Sequence, residues 1–208
     1  IDTSLDQNVT SFAGVPSWYL VLLKRILEQT GKQNILEIWP NLEIFAHGGV
    51  NFEPYRNQYK KLIPLDNMHY METYNASEGF FGIQDDPQSQ NMLLMLDYGV
   101  FYEFIPMNDF GKDNPEVLTL SQVELNENYA VVISTNGGLW RYIIGDTIQF
   151  KSKNPYKFVI TGRTKHFINA FGEEVIIDNA ERALQSACDK TGAIVNEYTA
   201  GPVFMEDN

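Results

Sequence analysis

The sequence predicts an α/β fold followed, from Gly162, by a segment of different character. Three observations predict it. Two stretches, about Ser17–Thr30 and about Phe52–Lys61, repeat apolar residues at helical spacing and stand between strand-like apolar runs. From Met68 to Thr161 strand-like runs rich in aromatic and β-branched residues follow one another, separated by polar or glycine-containing breaks. After Gly162-Arg163-Thr164-Lys165 come shorter apolar runs and one more helix. The 208 residues suffice for one large or two smaller domains with a buried core. We divide them into 1–161 and 162–208.

Taken in order, residues 1–13 are polar and mixed, and are expected to be a tail or an incoming connection. Ala13-Gly14-Val15-Pro16 leads into the first helix, with Leu20, Leu23, Ile26 and Leu27 on one face and Gly31 closing it. Gln33 to Phe45 reads as a turn into an apolar strand that ends at Ala46-His47-Gly48-Gly49. The second helix places Tyr55, Tyr59 and Leu62 on one face. Met68 to Phe81 is expected to be one strand, and DDPQSQN a hairpin-like turn. Met92 to Ile105 makes one or two strands, Val117–Leu120 and Tyr129–Ser134 two more. Thr135-Asn136-Gly137-Gly138 turns into Leu139–Ile144. Beyond Gly162, Phe167–Phe171 and Val175–Ile177 flank Gly172-Glu173-Glu174. Asp178 with Glu181 three residues on has the form of a capping box. The helix it opens runs to about Thr191, with Ala180, Ala183, Leu184, Ala187 and Cys188 as its buried stripe. Ile194–Glu197 and Pro202–Phe204 read as strands.

Four places carry residues suited to chemistry. Asp146 follows a glycine at a turn between apolar runs, and a carboxylate held at a turn can accept both hydroxyls of a vicinal diol such as ribose. On turn chemistry alone an ordinary turn outweighs that reading. Tyr74-Asn75-Ala76-Ser77-Glu78 falls at the end of a strand, where open α/β sheets bind ligands. Glu78 is a hard oxygen donor suited to Mg²⁺, Ser77 can donate or accept a hydrogen bond, and Tyr74 can pack on a flat ring such as a purine. On composition alone, the plainer reading is a polar strand end. Gly48 and Gly49 permit close approach of a flat ligand or a sharp turn in equal measure. His47 beside them suits a satisfied structural histidine better than a ligand contact. Tyr98, Phe101, Tyr102 and Phe104 suit sheet core better than the wall of an acyl pocket, and Arg141 is open between a site role and a structural ion pair. Arg163 and Lys165 have the form of a basic turn at a domain junction.

Composition narrows the classes. A hydrophobic content of 44% with 20% charged residues describes an ordinary globular chain. A net charge of −12 argues against a nucleic-acid backbone or an anionic membrane as the main partner. The single Cys188 excludes an internal disulfide framework, fits a reducing compartment such as the cytoplasm, and lies on an apolar stripe that suits a core thiol. No apolar run approaches membrane-spanning length. No dinucleotide fingerprint, Walker loop or zinc-spaced Cys/His set is present.

The order of the motifs then resembles the adenylate-forming enzymes, and more closely a bacterial member of the auxin-responsive acyl-acid amido synthetase family (Gretchen Hagen type). The resemblance rests on FAGVPSW (Phe12–Trp18), EIWPNLEIFAHGGVNFEPY (Glu37–Tyr55), YNASEGFFG (Tyr74–Gly82), LDYGVFYEFIP (Leu96–Pro106), GGLWRYIIGD (Gly137–Asp146) and TGRTKHFINAFGEEV (Thr161–Val175). It implies the later part of a large mixed-sheet domain and the start of a small α+β C-terminal domain. It further implies ATP and Mg²⁺ as cofactors, and a small carboxylic acid and an amine, as in an amino acid, as substrates. Asp146 would hold ribose. Gly48 and Gly49 would lie against adenine with Tyr74 and Ser77 near the nucleotide, Glu78 would hold Mg²⁺, and Arg163 and Lys165 would form the hinge between half-reactions. The family's Ser/Thr-rich phosphate loop is expected upstream of Ile1, so the chain reads as an inactive piece of a longer enzyme. Thioester formation with coenzyme A and a non-catalytic nucleotide- or acyl-binding module stay open as alternatives.

Overall fold

The computed structural model describes residues 1–164, 167–170, 173–195 and 198, with the backbone alone for 167–170 and 173–179. Ten strands make one mixed sheet, and its first three are parallel because a helix returns the chain each time. A single helical turn, α1 (Asp2–Leu5), precedes β1 (Ser11–Gly14), which pairs in parallel with β2 (Ile44–His47). The expected polar tail is therefore in part a sheet edge. Four residues of half-exposed alternation carry no signal until β2 supplies the partner.

Between these strands runs α2 (Pro16–Thr30), opened by a proline in its first turn and ended by Gly31 in the left-handed region. It buries Leu20, Leu23 and Ile26, leaving Trp18 and Val21 exposed on its outer face. The stretch expected to lead straight into a strand first makes a 3₁₀ turn at Ile35–Glu37. There the side chain of Asn34 and that of Glu37 cap each other's backbone. α3 (Glu53–Leu62) then returns the chain to β3 (His69–Ala76). α2 and α3 cover one face of the parallel strands, around Phe45. The Phe45 ring lies 4.5 Å from Phe12 and 5.1 Å from Tyr59.

Beyond β3 every pairing is antiparallel. The run expected as one strand, Met68 to Phe81, is instead a hairpin of β3 with β4 (Gly79–Gln84), and Ser77-Glu78 is its two-residue turn. The apolar residues on both arms masked the reversal. β5 (Met92–Leu94), β6 (Val100–Pro106), the short β7 (Leu118–Thr119), β8 (Asn128–Thr135), β9 (Tyr142–Lys153) and β10 (Tyr156–Arg163) complete the sheet in the order β1-β2-β3-β4-β5-β10-β9-β8-β6-β7. Four strands separate β4 from β6 in that order, yet Phe81 and Tyr102 meet at 6.3 Å between ring centroids. The antiparallel part thus curls around a core of Tyr74, Phe81, Tyr102, Phe104, Phe150 and Phe158. Curling lets one face be buried without a covering helix.

Past Gly162, β11 (Phe167–Ala170) and β12 (Glu173–Ile176) form a separate hairpin that leads into α4 (Ile177–Thr191). The helix begins one residue before Asp178, so Asp178 is not its N-cap. Glu181 accepts a 2.7 Å hydrogen bond from Asn51 Nδ2 at the start of α3. The expected stripe is also corrected: Ala183 and Ala187 are exposed, while Leu184 and Cys188 are half-buried. α4 packs against α3, β10 and β12. Ala193 to Val195 are irregular, and the rest of the two expected final strands lies outside the described residues.

Candidate functional site

Asp146 is not at a turn between strands, as the sequence suggested, but inside the twelve-residue strand β9. A bulge puts it there. Across β8 the register slips between Ala130–Thr147 and Val132–Ile143, and across β10 it slips between Ile160 and Gly162. Gly145 takes φ +91°, a conformation strained for any side chain, and its carbonyl accepts the Thr164 N–H at 2.8 Å. Such a bulge re-aims the next side chain. The Asp146 carboxylate, 18% exposed, accepts a 2.7 Å hydrogen bond at Oδ2 from Tyr74 Oη. At Oδ1 it meets Arg163 Nε at 3.3 Å. Tyr74 starts on β3 and reaches Asp146 through the interior of the curled sheet. Its ring is buried against Phe81 and Phe158 at 5.0 and 6.0 Å. Burial, and then the Asp146 charge it faces, push its phenol far above the ordinary range. The hydroxyl therefore stays a donor.

The structure thus brings together Tyr74, Asp146 and Arg163, which are far apart in sequence. Ser77 and Glu78 leave β3 just beyond Tyr74, on the hairpin turn; Ser77 is exposed and Glu78 half-buried. No hydrogen bond or ion pair engages the Glu78 carboxylate among the described residues. No group of three or more His, Cys, Asp and Glu side chains that could hold a metal ion forms among them either. The Glu78 carboxylate alone is an oxygen donor of the kind Mg²⁺ would take, since that ion keeps several waters and is ordinarily bound through one or two carboxylates plus substrate phosphates. Lys165 lies outside the described residues.

Gly48 follows β2 directly, and a Cβ there would collide with the Thr73 carbonyl oxygen of β3. Gly49 adopts φ +84°. Both glycines are demanded by the backbone, whatever lies against them. Arg141, itself at φ +47°, pairs with Glu103 Oε2 at 3.0 Å on the exposed face of the sheet. Of its two open readings the structure displays the ion pair. Among the aromatics after Leu96, Tyr102 and Phe104 are core, whereas Tyr98 and Phe101 are exposed.

One cluster escaped the sequence reading. The parallel register sets Glu72 of β3 opposite His47 of β2, beneath α3. His47 stacks on Phe52 at 4.3 Å, and its buried Nδ1 lacks a hydrogen-bond partner among the described residues. Burial and the nearby Arg56 guanidinium lower its pKa to about 4, so the ring is neutral. Packing supplies the structural role expected of it, though Nδ1 is not satisfied. Glu72 moves the other way: burial, then Glu181 and Glu53, raise its carboxyl to about 7. Ser17, Val50, Asn51, Pro54, Tyr55, Glu181 and Tyr198 line a cleft of about 300 Å³ between the start of α3 and α4. Alternation along β3 alone gives no reason to pick out Glu72, because its neighbours come from α3 and α4.

Family comparisons bear on this geometry. The GH3 family N-terminal domain matches residues 1–68 and the GH3 family central domain matches residues 93–163, together two thirds of the chain. The chain belongs to the GH3 family. This GH3 chain is 29% identical over 174 residues to the indole-3-acetic acid-amido synthetase GH3.3 of Arabidopsis thaliana, covering 78% of the chain and 28% of that protein. It is 28% identical over 177 residues to the jasmonoyl–L-amino acid synthetase JAR4 of Nicotiana attenuata, covering 78% of the chain and 29% of that protein. The chain therefore spans less than a third of the length of these curated relatives. Among solved structures it is similar to the GH3.15 acyl acid amido synthetase, with a TM-score of 0.60 at 20% identity over 78% of the chain and 30% of that structure. A 2-hydroxyisobutyryl-CoA ligase in its postadenylation state gives 0.63 at 14% identity, over 86% of the chain and 38% of that structure. Both likenesses establish the fold alone: the mixed sheet is one that these two structures share.

Proposed function

We propose that this GH3 chain is the nucleotide-holding part of an ATP-dependent acyl-acid amido synthetase. The observation that carries the reading is the Asp146 carboxylate, fixed on a strand bulge by Tyr74 and Arg163 at one end of the curled sheet. A carboxylate so held is poised for a ribose diol, since each oxygen keeps a lone pair free. Gly48 and Gly49 let the backbone run close to adenine, with Tyr74 and Ser77 on the nucleotide side. Glu78 carries the carboxylate for Mg²⁺, which when bound would neutralise phosphate charge. Arg163 and Lys165 form the hinge to the segment from 162 onward.

In the first half-reaction a substrate carboxylate oxygen attacks the α-phosphorus of ATP and the bond to pyrophosphate breaks, leaving an acyl-adenylate. In the second an amine nitrogen attacks the acyl carbon, AMP departs with the bonding oxygen, and the nitrogen loses a proton. Neither step needs a covalent bond to the protein. What the chain's residues supply is orientation and charge placement. The relatives' names, an indole-3-acetic acid-amido synthetase and a jasmonoyl–L-amino acid synthetase, support a small carboxylic acid and an amino acid as the two substrates. The net charge of −12 supports small molecules over nucleic acid as partners. The lone Cys188 supports the cytoplasm, and no helix among the described residues is long and apolar enough to cross a membrane.

The test is carboxylate-dependent exchange of labelled pyrophosphate into ATP by the whole protein, over a panel of aryl, indolyl and aliphatic acids. Exchange with at least one acid is expected. Product identification with amino acids and with coenzyme A as acceptors then separates amide from thioester formation. Folded protein that binds ATP and exchanges with no acid would refute the enzyme reading in favour of a binding module.

A further inference from the structure

The segment beyond Gly162 is fastened to α3 through two side-chain amides, each aimed by a bond at its other end. Asn51 Oδ1 accepts the Glu53 N–H at 2.9 Å, which leaves Nδ2 to donate to Glu181 Oε2 of α4 at 2.7 Å. Gln58 is buried on α3. Its Oε1 accepts from Lys24 Nζ at 3.0 Å, and its Nε2 donates to the Val195 carbonyl at 3.2 Å. A cleft of about 300 Å³ stays open beside Asn51, Tyr55 and Glu181. The seam is therefore joined at polar points and not packed dry, a construction suited to contacts that part.

Three carboxylates from three elements meet at this seam: Glu53 of α3, Glu72 of β3 and Glu181 of α4. Arg56 offsets Glu53, its Nε donating at 3.0 Å, and Glu181 is met by the neutral amide of Asn51. Glu72 has no such compensation among the described residues. His47, opposite it in the parallel register with β2, is neutral, and Gln84 of β4 spends its Oε1 on the Glu72 N–H at 2.8 Å. We propose that the α3–α4 seam is a proton-operated latch: Asn51 and Gln58 hold the segment beyond Gly162 while Glu72 carries its proton, and the Glu72 charge, once formed, repels Glu181 and frees that segment. This rests on the reading of Arg163 and Lys165 as a hinge, and adds what fastens the hinged segment and what releases it.

The sign follows from the surroundings of Glu72. Burial, then the charges of Glu181 and Glu53, raise its carboxyl to about 7. Swinging α4 away removes the Glu181 charge and moves the carboxyl back toward the ordinary 4.5. The docked state thus binds the proton more tightly than the released one, so docking is favoured at low pH and weakens as pH rises through about 7. His47 does not oppose this, since it stays neutral above about 4. Asn51 follows Gly48, Gly49 and Val50 directly, so the latch is fastened next to the proposed adenine site.

The test measures the distance between spin labels on Val21→Cys and Ala187→Cys, exposed positions of α2 and α4, in the whole protein with its other cysteines replaced by serine. One short distance is expected at pH 6. At pH 8 a second, longer one joins it, the docking equilibrium having weakened about fivefold. Glu72→Gln, which cannot ionise, is expected to keep the short distance alone at both pH values. Glu181→Gln removes the opposing charge but leaves Asn51 an acceptor, and is expected to lose the pH response too, which covers a Glu72→Gln protein that fails to fold. Asn51→Ala combined with Gln58→Ala is expected to show the longer distance already at pH 6. A wild type unchanged between pH 6 and pH 8, or a pH response that survives in the Glu72→Gln and Glu181→Gln proteins, would overturn the latch. If the short distance alone persists in the doubly substituted protein as well, the hinge reading beneath it falls.

Discussion

Two carboxylates at one end of the sheet are held in opposite ways. Asp146 sits in the middle of a strand, displaced by a bulge, with partners on both oxygens drawn from β3 and β10. Glu78 sits on a two-residue hairpin turn with no partner among the described residues. The first is built in advance and admits one geometry. The second can follow whatever it binds. A sugar diol has fixed O–O spacing and gains from a pre-set acceptor, whereas a metal with its own waters and phosphates imposes its own octahedron. The contrast teaches that the same functional group, four residues beyond the tyrosine or hydrogen-bonded to it, is tuned by how many strands converge on it.

If that contrast is right, removing the pre-set acceptor costs most. Asp146→Ala is expected to lower kcat/KM for ATP in pyrophosphate exchange by about a hundredfold, since two charge-assisted hydrogen bonds to ribose are lost. A reduction of twofold or less would break the comparison outright. Next comes the backbone that brings β2 against β3: Gly48→Ala forces a Cβ into the Thr73 carbonyl and is expected to destabilise by about 2 kcal/mol in denaturant unfolding. A neutral result would mean the two strands can separate there at little cost. Glu78→Gln should lower exchange by about tenfold, recovered in part by raising Mg²⁺, with the melting temperature left nearly unchanged because the side chain engages none of the described residues. A large loss of stability would show that the turn depends on it.

The smallest effect concerns the titrating pair beneath α3, which sharpens the comparison by adding a third carboxylate that is buried and charge-crowded. Glu72 has a folded pKa of about 7 against an ordinary 4.5, so the folded state binds more protons than the unfolded one between those values. Its contribution is complete below about pH 4.5 and is lost as pH rises to about 7. His47, lowered to about 4 from 6.5, has the opposite slope: its contribution is present above 6.5 and is lost as pH falls toward 4. The two slopes offset each other in the wild type near pH 5–6. Glu72→Gln should therefore raise the melting temperature by a few degrees at pH 8 and leave it unchanged at pH 4. His47→Phe should flatten the loss of stability below pH 6. Parallel melting curves for variant and wild type across pH 4–8 would show that neither group is perturbed as its surroundings suggest.

Much of the molecule was legible in the chain because the signals are local. α2 declares itself by Pro16, the spacing of Leu20, Leu23 and Ile26, and Gly31; α3 does so by Tyr55 and Tyr59. Asp146, Tyr74, Ser77 and Glu78 could be chosen because family motifs keep their residues adjacent. The misreadings fall where a partner decides. β1 is a strand only because β2 lies beside it, and Ala183 and Ala187 follow a helical stripe that nothing covers. Glu181 looks like a cap and instead bonds Asn51, more than a hundred residues away.

The sequence by itself determined the three long helices, most strand positions, the family and the choice of candidate site residues, because periodicity, turn residues and short motifs are properties of neighbours along the chain. Only the tertiary structure decided that Asp146 stands on a bulge inside β9, that the Tyr74 hydroxyl donates to it, and that Glu72 faces Glu53 and Glu181. The physical reason is the curl of the antiparallel strands and the return of the helices over the parallel ones. Both bring together groups distant in sequence, and burial then sets their protonation and orientation.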